Sequence, residues 1–291
     1  MSKDNGSSVA YKVFSFVVLI ILAFLFIFPL YWIITGMLKP PTAINTRIPQ
    51  WWPQEITMRN IQELFSRRTA PLFGNIAVTV PAAVRWMINT VFMAVMAMLI
   101  TCLTAAMAGY ALAKKRFVGR VFLFSLIVAA MALPKQVVLL PLIREMSTLG
   151  LYNTIWAVIF PTVGWPFGVF LMKQFAEGIP GEMLEATRID GASELRTFTS
   201  VVMPMIKPGI GALAIFTFIS SWNDYFLQLI MLSKNVNYTI SIGIATMQAE
   251  NSTDFGLIMA GAALAAVPII IVFLIFQKYF TKGITMGAVK G

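Results

Sequence analysis

The side chains able to do chemistry here are few, and the missing ones narrow the field first. There is no histidine and a single cysteine, Cys102. Without histidine there is no imidazole base, no Ser/His/Asp triad and no histidine metal site. A lone cysteine cannot close an intramolecular disulfide. No G-x-x-x-x-G-K-[ST] sequence occurs, so the chain brings no phosphate-cradling loop of its own. What remains is a small set of charges in informative places. Asp224 lies in an apolar stretch, where an ionisable group usually faces a cavity or a partner, and Lys135 is expected near an interface, where it can snorkel or help an anionic solute enter. Asp224 is bracketed by Trp222, Asn223 and Tyr225. Five of the 12 acidic residues (Glu177, Glu182, Glu185, Asp190, Glu194) fall between 173 and 207, among four basic ones.

The elements that position these residues follow from composition. Of 291 residues, 58% are hydrophobic and 12% charged. Soluble domains carry about twice that charge, and a disordered chain would lack the apolar excess. An integral membrane protein is the remaining class. Its net charge of +10 then reads as basic inner loops rather than as a nucleic-acid footprint. The apolar runs are solid rather than alternating, which points to helices and not to a barrel. Six spans are predicted: Val13–Thr35, Met87–Ala113, Phe117–Leu142 broken at Pro134 and Lys135, Asn153–Met172 bent by Pro161 and Pro166, Ile206–Leu232 containing Asp224, and Phe255–Phe276. In domain terms this is an N-terminus (1–12), a first membrane helix (13–38), an external loop (39–85), a five-helix core (86–276) and a tail (277–291). The loop Lys114–Arg120 holds four cations in seven residues. Short basic loops stay inside, so both termini are expected in the cytoplasm. The Pro-rich segment 39–85 is expected outside, with a short helix near Met58–Ser66 and Trp51-Trp52 at the headgroup level. The polar segment Ser233–Asp254 is expected on the same side. Gly243 and Gly261 are assigned to close helix packing.

Residues 173–207 read locally as a helix, a tight turn and a second helix. Pro180 suits a first helical turn, and Glu182 and Glu185 favour the positive end of the dipole. Asp190-Gly191 punctuates the helix, with glycine free to turn left-handed. Ser193 can cap the next helix. Leu195, Phe198 and Val202 give that helix an apolar stripe, and Pro204 ends it.

This loop carries a resemblance. Glu185-Ala186-Thr187, Gly191 and Val201-x-Met203-Pro204 follow the pattern E-A-A-x3-G-x9-I-x-L-P, with mild changes at Thr187, Val201 and Met203. The pattern is similar to that of permease subunits of binding-protein-dependent ATP-binding-cassette importers. Trp222-Asn223-Asp224-Tyr225-Phe226 resembles the W-N-[DE]-[FY] stretch of the carbohydrate-uptake permeases. Leu149–Thr154 resembles the loop after their third helix, and Gly283–Gly291 the ending of the maltose-type second permease.

The resemblance implies an all-α, six-span type I importer permease with cytoplasmic coupling helices and no catalytic site of its own. It implies a second permease as a heterodimeric partner, two ATPase subunits that bind ATP and Mg, and an extracytoplasmic solute-binding protein. A carbohydrate is the implied solute and a bacterial inner membrane the implied setting. Glu185, Ala186, Asp190, Gly191, Leu195 and Phe198 would then contact an ATPase, Leu195 and Phe198 alternatively packing against the chain's own helices, and Gly287, Ala288, Val289 and Lys290 of the tail would reach the ATPases as well. Trp222, Asn223, Asp224, Tyr225 and Lys135 would line the substrate route, Trp222 by stacking on sugar faces; alternatively Asn223 or Asp224 only fixes helix packing. An ion-coupled secondary transporter using Asp224 and Lys135 is the competing class, although it usually brings inverted repeats and more spans.

Overall fold

The structure is a computed structural model that describes residues 9–66, 69–71, 79–250 and 254–288. Its first helix, α1 (Val9–Met37), is apolar on every side, as a helix solvated by lipid must be. Two short helices follow in the Pro-rich segment, α2 (Pro41–Ile44) and α3 (Arg59–Ser66), then a two-stranded ladder of β1 (Thr69–Pro71) and β2 (Thr79–Pro81). The long helix α4 (Ala82–Lys114) begins five residues before the expected second span. Arg85 therefore lies inside its first turns and not in the loop.

Beyond α4 the expected spans are broken. α5 (Arg120–Ala130) turns by 102° into an arm made of a 3-10 turn (Lys135–Val138) and α6 (Leu139–Thr148). Eleven helical residues reach about 16 Å, half of a hydrocarbon core about 30 Å thick. Phe117–Leu142 is thus not one continuous span. Pro134 sets the break: it removes an N–H and pushes the preceding residue out of the helical region. α7 (Trp156–Val163) and α8 (Pro166–Glu177) meet at 42°, where Pro166 opens the second piece. The polar loop forms α9 (Gly181–Ile189), α10 (Glu194–Thr197), a π-helical turn (Phe198–Val202) and α11 (Met203–Met205). Pro204 does not end this run; the chain turns by 78° after it, into α12 (Lys207–Asn223). The expected fifth span stops there. Asp224 separates α12 from α13 (Tyr225–Met231), so the acid sits at a break and not inside a helix. Ser233–Asp254, expected as loop, contains α14 (Ile240–Glu250). α15 (Phe255–Ala288) runs 34 residues, about 51 Å at helical rise, and so continues well past the expected boundary at Phe276.

Among the described residues, three helices are long and apolar enough to cross a membrane alone, and the count reaches six if each bent pair is one span. Two compact units emerge: one holds the described residues up to Thr69 with Ile244–Ala266, the other holds Ala70–Gly243 with the rest of α15. In the first unit Asn60 Nδ2 donates to the carbonyls of Met37 and Lys39, at 2.8 Å each. Lys39 is buried: its ammonium donates to the Gln50 carbonyl and lies 4.3 Å from the Trp32 ring centre. A Cβ on Gly261 would come within 2.7 Å of Ile244. The second unit is built on α4. One cluster joins Ala105, Ala106, Met172, Ala176, Phe198 and Leu213. Another joins Met93, Ala97, Ile159, Met231 and Ile242. A Cβ on Gly243 would fall 2.0 Å from the Trp86 ring. The close-packing assignment of both glycines is borne out, because neither position has room for a side chain.

Candidate functional site

Two helix–break–helix junctions carry the candidate residues. The first is the turn between α9 and α10. The Gly191 N–H donates to the Arg188 carbonyl and the Ala192 N–H to the Thr187 carbonyl, at 3.0 Å each. These are the two bonds of a Schellman motif, which needs a left-handed residue after the cap. Gly191 supplies it with φ +70°, and Asp190 is the cap residue. A Cβ on Gly191 would meet no atom of this chain; the glycine is required by the backbone angle. Ser193 Oγ accepts the Arg196 N–H at 3.3 Å and starts α10 as expected.

The inner face of this junction is anchored. Leu184, Phe198 and Val202 are buried in the α4–α8 cluster, and the Phe198 ring lies 5.8 Å from that of Tyr110. Lys115 forms an ion pair with Glu194. This pair, with the Tyr110 hydroxyl donating to the other carboxylate oxygen at 3.4 Å, holds the Glu194 carboxyl below the usual carboxylate range. The Lys115 hydrogen bond is the largest cause. At the end of α4, Lys114 Nζ donates to the carbonyls of Glu177 (3.1 Å) and Ile179 (2.6 Å), satisfying groups left open where α8 ends.

The outer face is bare. Glu185, Ala186 and Asp190 are exposed, and so are Met183, Ile189 and Leu195, the last two at 87% and 69%. The stripe expected from Leu195, Phe198 and Val202 is therefore split. The π-helical turn that begins at Phe198 changes the register, so Phe198 and Val202 point inward while Leu195 points out. Phe198 is a core residue here. Met183 and Ile189 were not singled out from the sequence; an unsupported apolar residue opposite buried Leu184 was the available signal.

The second junction is the break between α12 and α13. Asp224 Oδ1 caps α13 by accepting the Leu227 N–H at 3.3 Å. Its Oδ2 pairs with Lys135 Nζ at 3.2 Å. The breaks at Pro134 and Asp224 thus meet, and their two charges are partners. Lys135 remains 63% exposed and Asp224 18%. Asn223 and Tyr225 are exposed beside them. Trp222 is not: it is 2% exposed and stacked on Phe218, centroids 5.5 Å apart. The expectation that its ring faces a solute is corrected, because the last turn of α12 points it into the core. Of the tail residues, Gly287 and Ala288 lie in the final turn of α15, while Val289 and Lys290 lie outside the described residues.

Residues 103–286 match the family of binding-protein-dependent transport system inner membrane components. The chain belongs to this family. The permease is 34% identical over 272 residues, 93% of each chain, to the arabinooligosaccharides transport system permease protein AraQ of Halalkalibacterium halodurans. It is 30% identical over the full length of the Bacillus subtilis protein of that name. The trehalose/maltose transport system permease protein MalG of Thermococcus litoralis is 27% identical over 94% of each chain. Among solved structures, a chain of a bacterial ABC transporter involved in the import of the acidic polysaccharide alginate superposes with TM-score 0.76. That match covers 96% of the permease and 100% of the other chain at 22% identity, a likeness of fold. The permease is accordingly a non-catalytic membrane subunit of a transport system with the importer-permease fold, and membership replaces the ion-coupled alternative.

Proposed function

We propose that this permease is one of two membrane-spanning subunits of an ATP-driven importer for a carbohydrate, and that it forms half of the translocation pathway. The observation that carries the coupling role is the two-sided build of α9–α10. Its inner face is fixed to α4 and α8 through Leu184, Phe198 and Glu194, while its outer face offers Met183, Glu185, Ala186, Ile189, Asp190 and Leu195 unpaired to a partner. An ATPase subunit that closes on ATP and Mg would push this face, and the rigid Schellman turn at Gly191 would pass the displacement to α12. Glu185 would make a charge-assisted contact with a basic ATPase residue. The α15 end, from Gly287 and Ala288 on through Val289 and Lys290, would reach the same partners.

The carbohydrate assignment is supported by relatives named for arabinooligosaccharides and trehalose/maltose. On the pathway, exposed Asn223, Tyr225 and Lys135 and the half-buried Asp224 offer donors and acceptors to a hydroxyl-rich solute. A second, related permease, two ATPases and an extracytoplasmic solute-binding protein would complete the complex in a bacterial inner membrane. The four cations of Lys114–Arg120 support a cytoplasmic position for that loop and for both termini.

The test is a reconstituted complex. Glu185→Ala or Gly191→Pro is expected to abolish solute-stimulated ATP hydrolysis while the permease still reaches the membrane. Wild-type hydrolysis in either variant would reject the coupling role. Purification of the tagged chain in mild detergent is expected to bring down two ATPases and a second permease.

A further inference from the structure

Gln228 is a glutamine with no exposed surface, one turn into α13. A buried amide must find partners at both ends, and both ends here are engaged. Its Nε2 donates to the Ser221 carbonyl at 2.9 Å. That carbonyl belongs to the last turn of α12, where no intrahelical N–H reaches it once the helix stops at Asn223. Its Oε1 accepts the Thr239 hydroxyl at 2.6 Å, and Thr239 is likewise fully buried. One side chain therefore bridges the Asp224 break from behind and fastens it to the segment leading into α14.

That segment is itself tied down along its length. Trp86 Nε1 donates to Asn235 Oδ1 at 2.8 Å. Asn89 Nδ2 donates to the carbonyls of Val236 and Tyr238 at 2.9 Å each. The Ile240 N–H reaches Thr90 Oγ1 at 2.8 Å. Asn153 Oδ1, on a turn with φ +60°, accepts the N–H groups of Ser233 and Lys234. Residues 233–240 are thus a strap bonded to α4 and to the Asn153 turn, and Gln228 is its connection to the break.

We propose that Gln228 is a positioning residue: it holds the α12–α13 break in the geometry that pairs Asp224 with Lys135, and it makes that geometry respond to the 233–240 strap. A displacement of the strap is delivered through Thr239 and Gln228 to the Ser221 carbonyl and so to Asp224. The inference rests on the reading of Asp224 and Lys135 as pathway residues, but its test does not.

The experiment uses the assembled complex with Ser221→Cys as reporter in a Cys102→Ala background. Ser221 is buried and its hydroxyl has no hydrogen-bond partner, so the thiol costs little. The rate of reaction with a membrane-impermeant maleimide reads opening of the break. Gln228→Leu removes both bonds, and Gln228→Glu removes the donor to Ser221. Each is expected to raise the rate about tenfold, the order expected for stripping a buried carbonyl of its donor. Thr239→Val should raise it less, and Thr239→Ser should return it to the parent value. Native Cys102, itself buried, is the control in the chain without the reporter, and its reaction should not change. An unchanged reporter rate in Gln228→Leu and Thr239→Val overturns the proposal. So does a rise matched at Cys102, which would mean general loosening. Failure of the pathway reading would look different: solute uptake would be unchanged in Asp224→Asn and Lys135→Gln, whatever the labelling.

Discussion

The two junctions that carry the candidate residues solve one problem in opposite ways. Each interrupts a helix at an aspartate and restarts it within a few residues. At Asp190–Gly191 the open carbonyls are closed by the next backbone N–H groups, through a left-handed glycine. At Asn223–Asp224 they are closed by side chains from elsewhere, Gln228 and behind it Thr239, with Lys135 on the carboxylate. The first junction closes its own backbone groups and forms a rigid lever, anchored to α4 and α8 on one face and bare on the other. The second is held by its neighbours and can change when they move. A self-contained turn suits transmission of force; a neighbour-held break suits a pathway that must open and close.

This contrast can be broken at either junction. The largest effect is expected from Gly191→Val, since a β-branched residue at φ +70° is an outlier costing upwards of about 1–2 kcal/mol and destroys the turn. Solute-stimulated ATP hydrolysis should fall to background while labelling at Ser221→Cys stays unchanged. Next is Asp224→Ala, which removes a helix cap worth about 1 kcal/mol together with the partner of Lys135. Uptake should drop with hydrolysis uncoupled but present, measured side by side in proteoliposomes. Thr187→Ala should cost about 0.5–1.5 kcal/mol, a net hydrogen bond, because Thr187 Oγ1 accepts the Thr197 hydroxyl at 3.3 Å and so joins α9 to α10; differential thermal unfolding would register it. The smallest effect is electrostatic. Glu194 has its pKa lowered from 4.5 by Lys115, so its stabilisation is complete above that value and is lost as pH falls through the lower folded one. Protease cleavage between α9 and α10 should speed up on acidification below about pH 4.5, and Glu194→Gln should flatten that dependence.

The same contrast explains what could be read from the residues alone. The α9–α10 junction was legible because its determinants are local: Pro180, Asp190-Gly191 and Ser193 act within a few residues. The Asp224 break was not, because residues 206–232 read as one largely apolar span with Asp224 inside it, and the groups that stabilise the interruption lie 89 residues upstream at Lys135 and 11 downstream of Gln228 at Thr239. The inward turn of Trp222 escaped for a related reason: an aromatic residue beside polar ones looks like a lining, and only packing on Phe218 decides otherwise. Thr187, a departure from the family's alanine, looked neutral until its contact across the turn with Thr197 was visible.

Lys39 adds a mechanical consequence. Its ammonium is seated under the Trp32 ring and on the Gln50 carbonyl just beyond the end of α1, and burial lowers its pKa. Sliding α1 along its axis by one turn, about 5.4 Å, would carry Lys39 and Trp32 together away from the Gln50 carbonyl and leave the buried ammonium without that acceptor. The seat therefore opposes axial sliding of α1 more than tilt or swivel about this end.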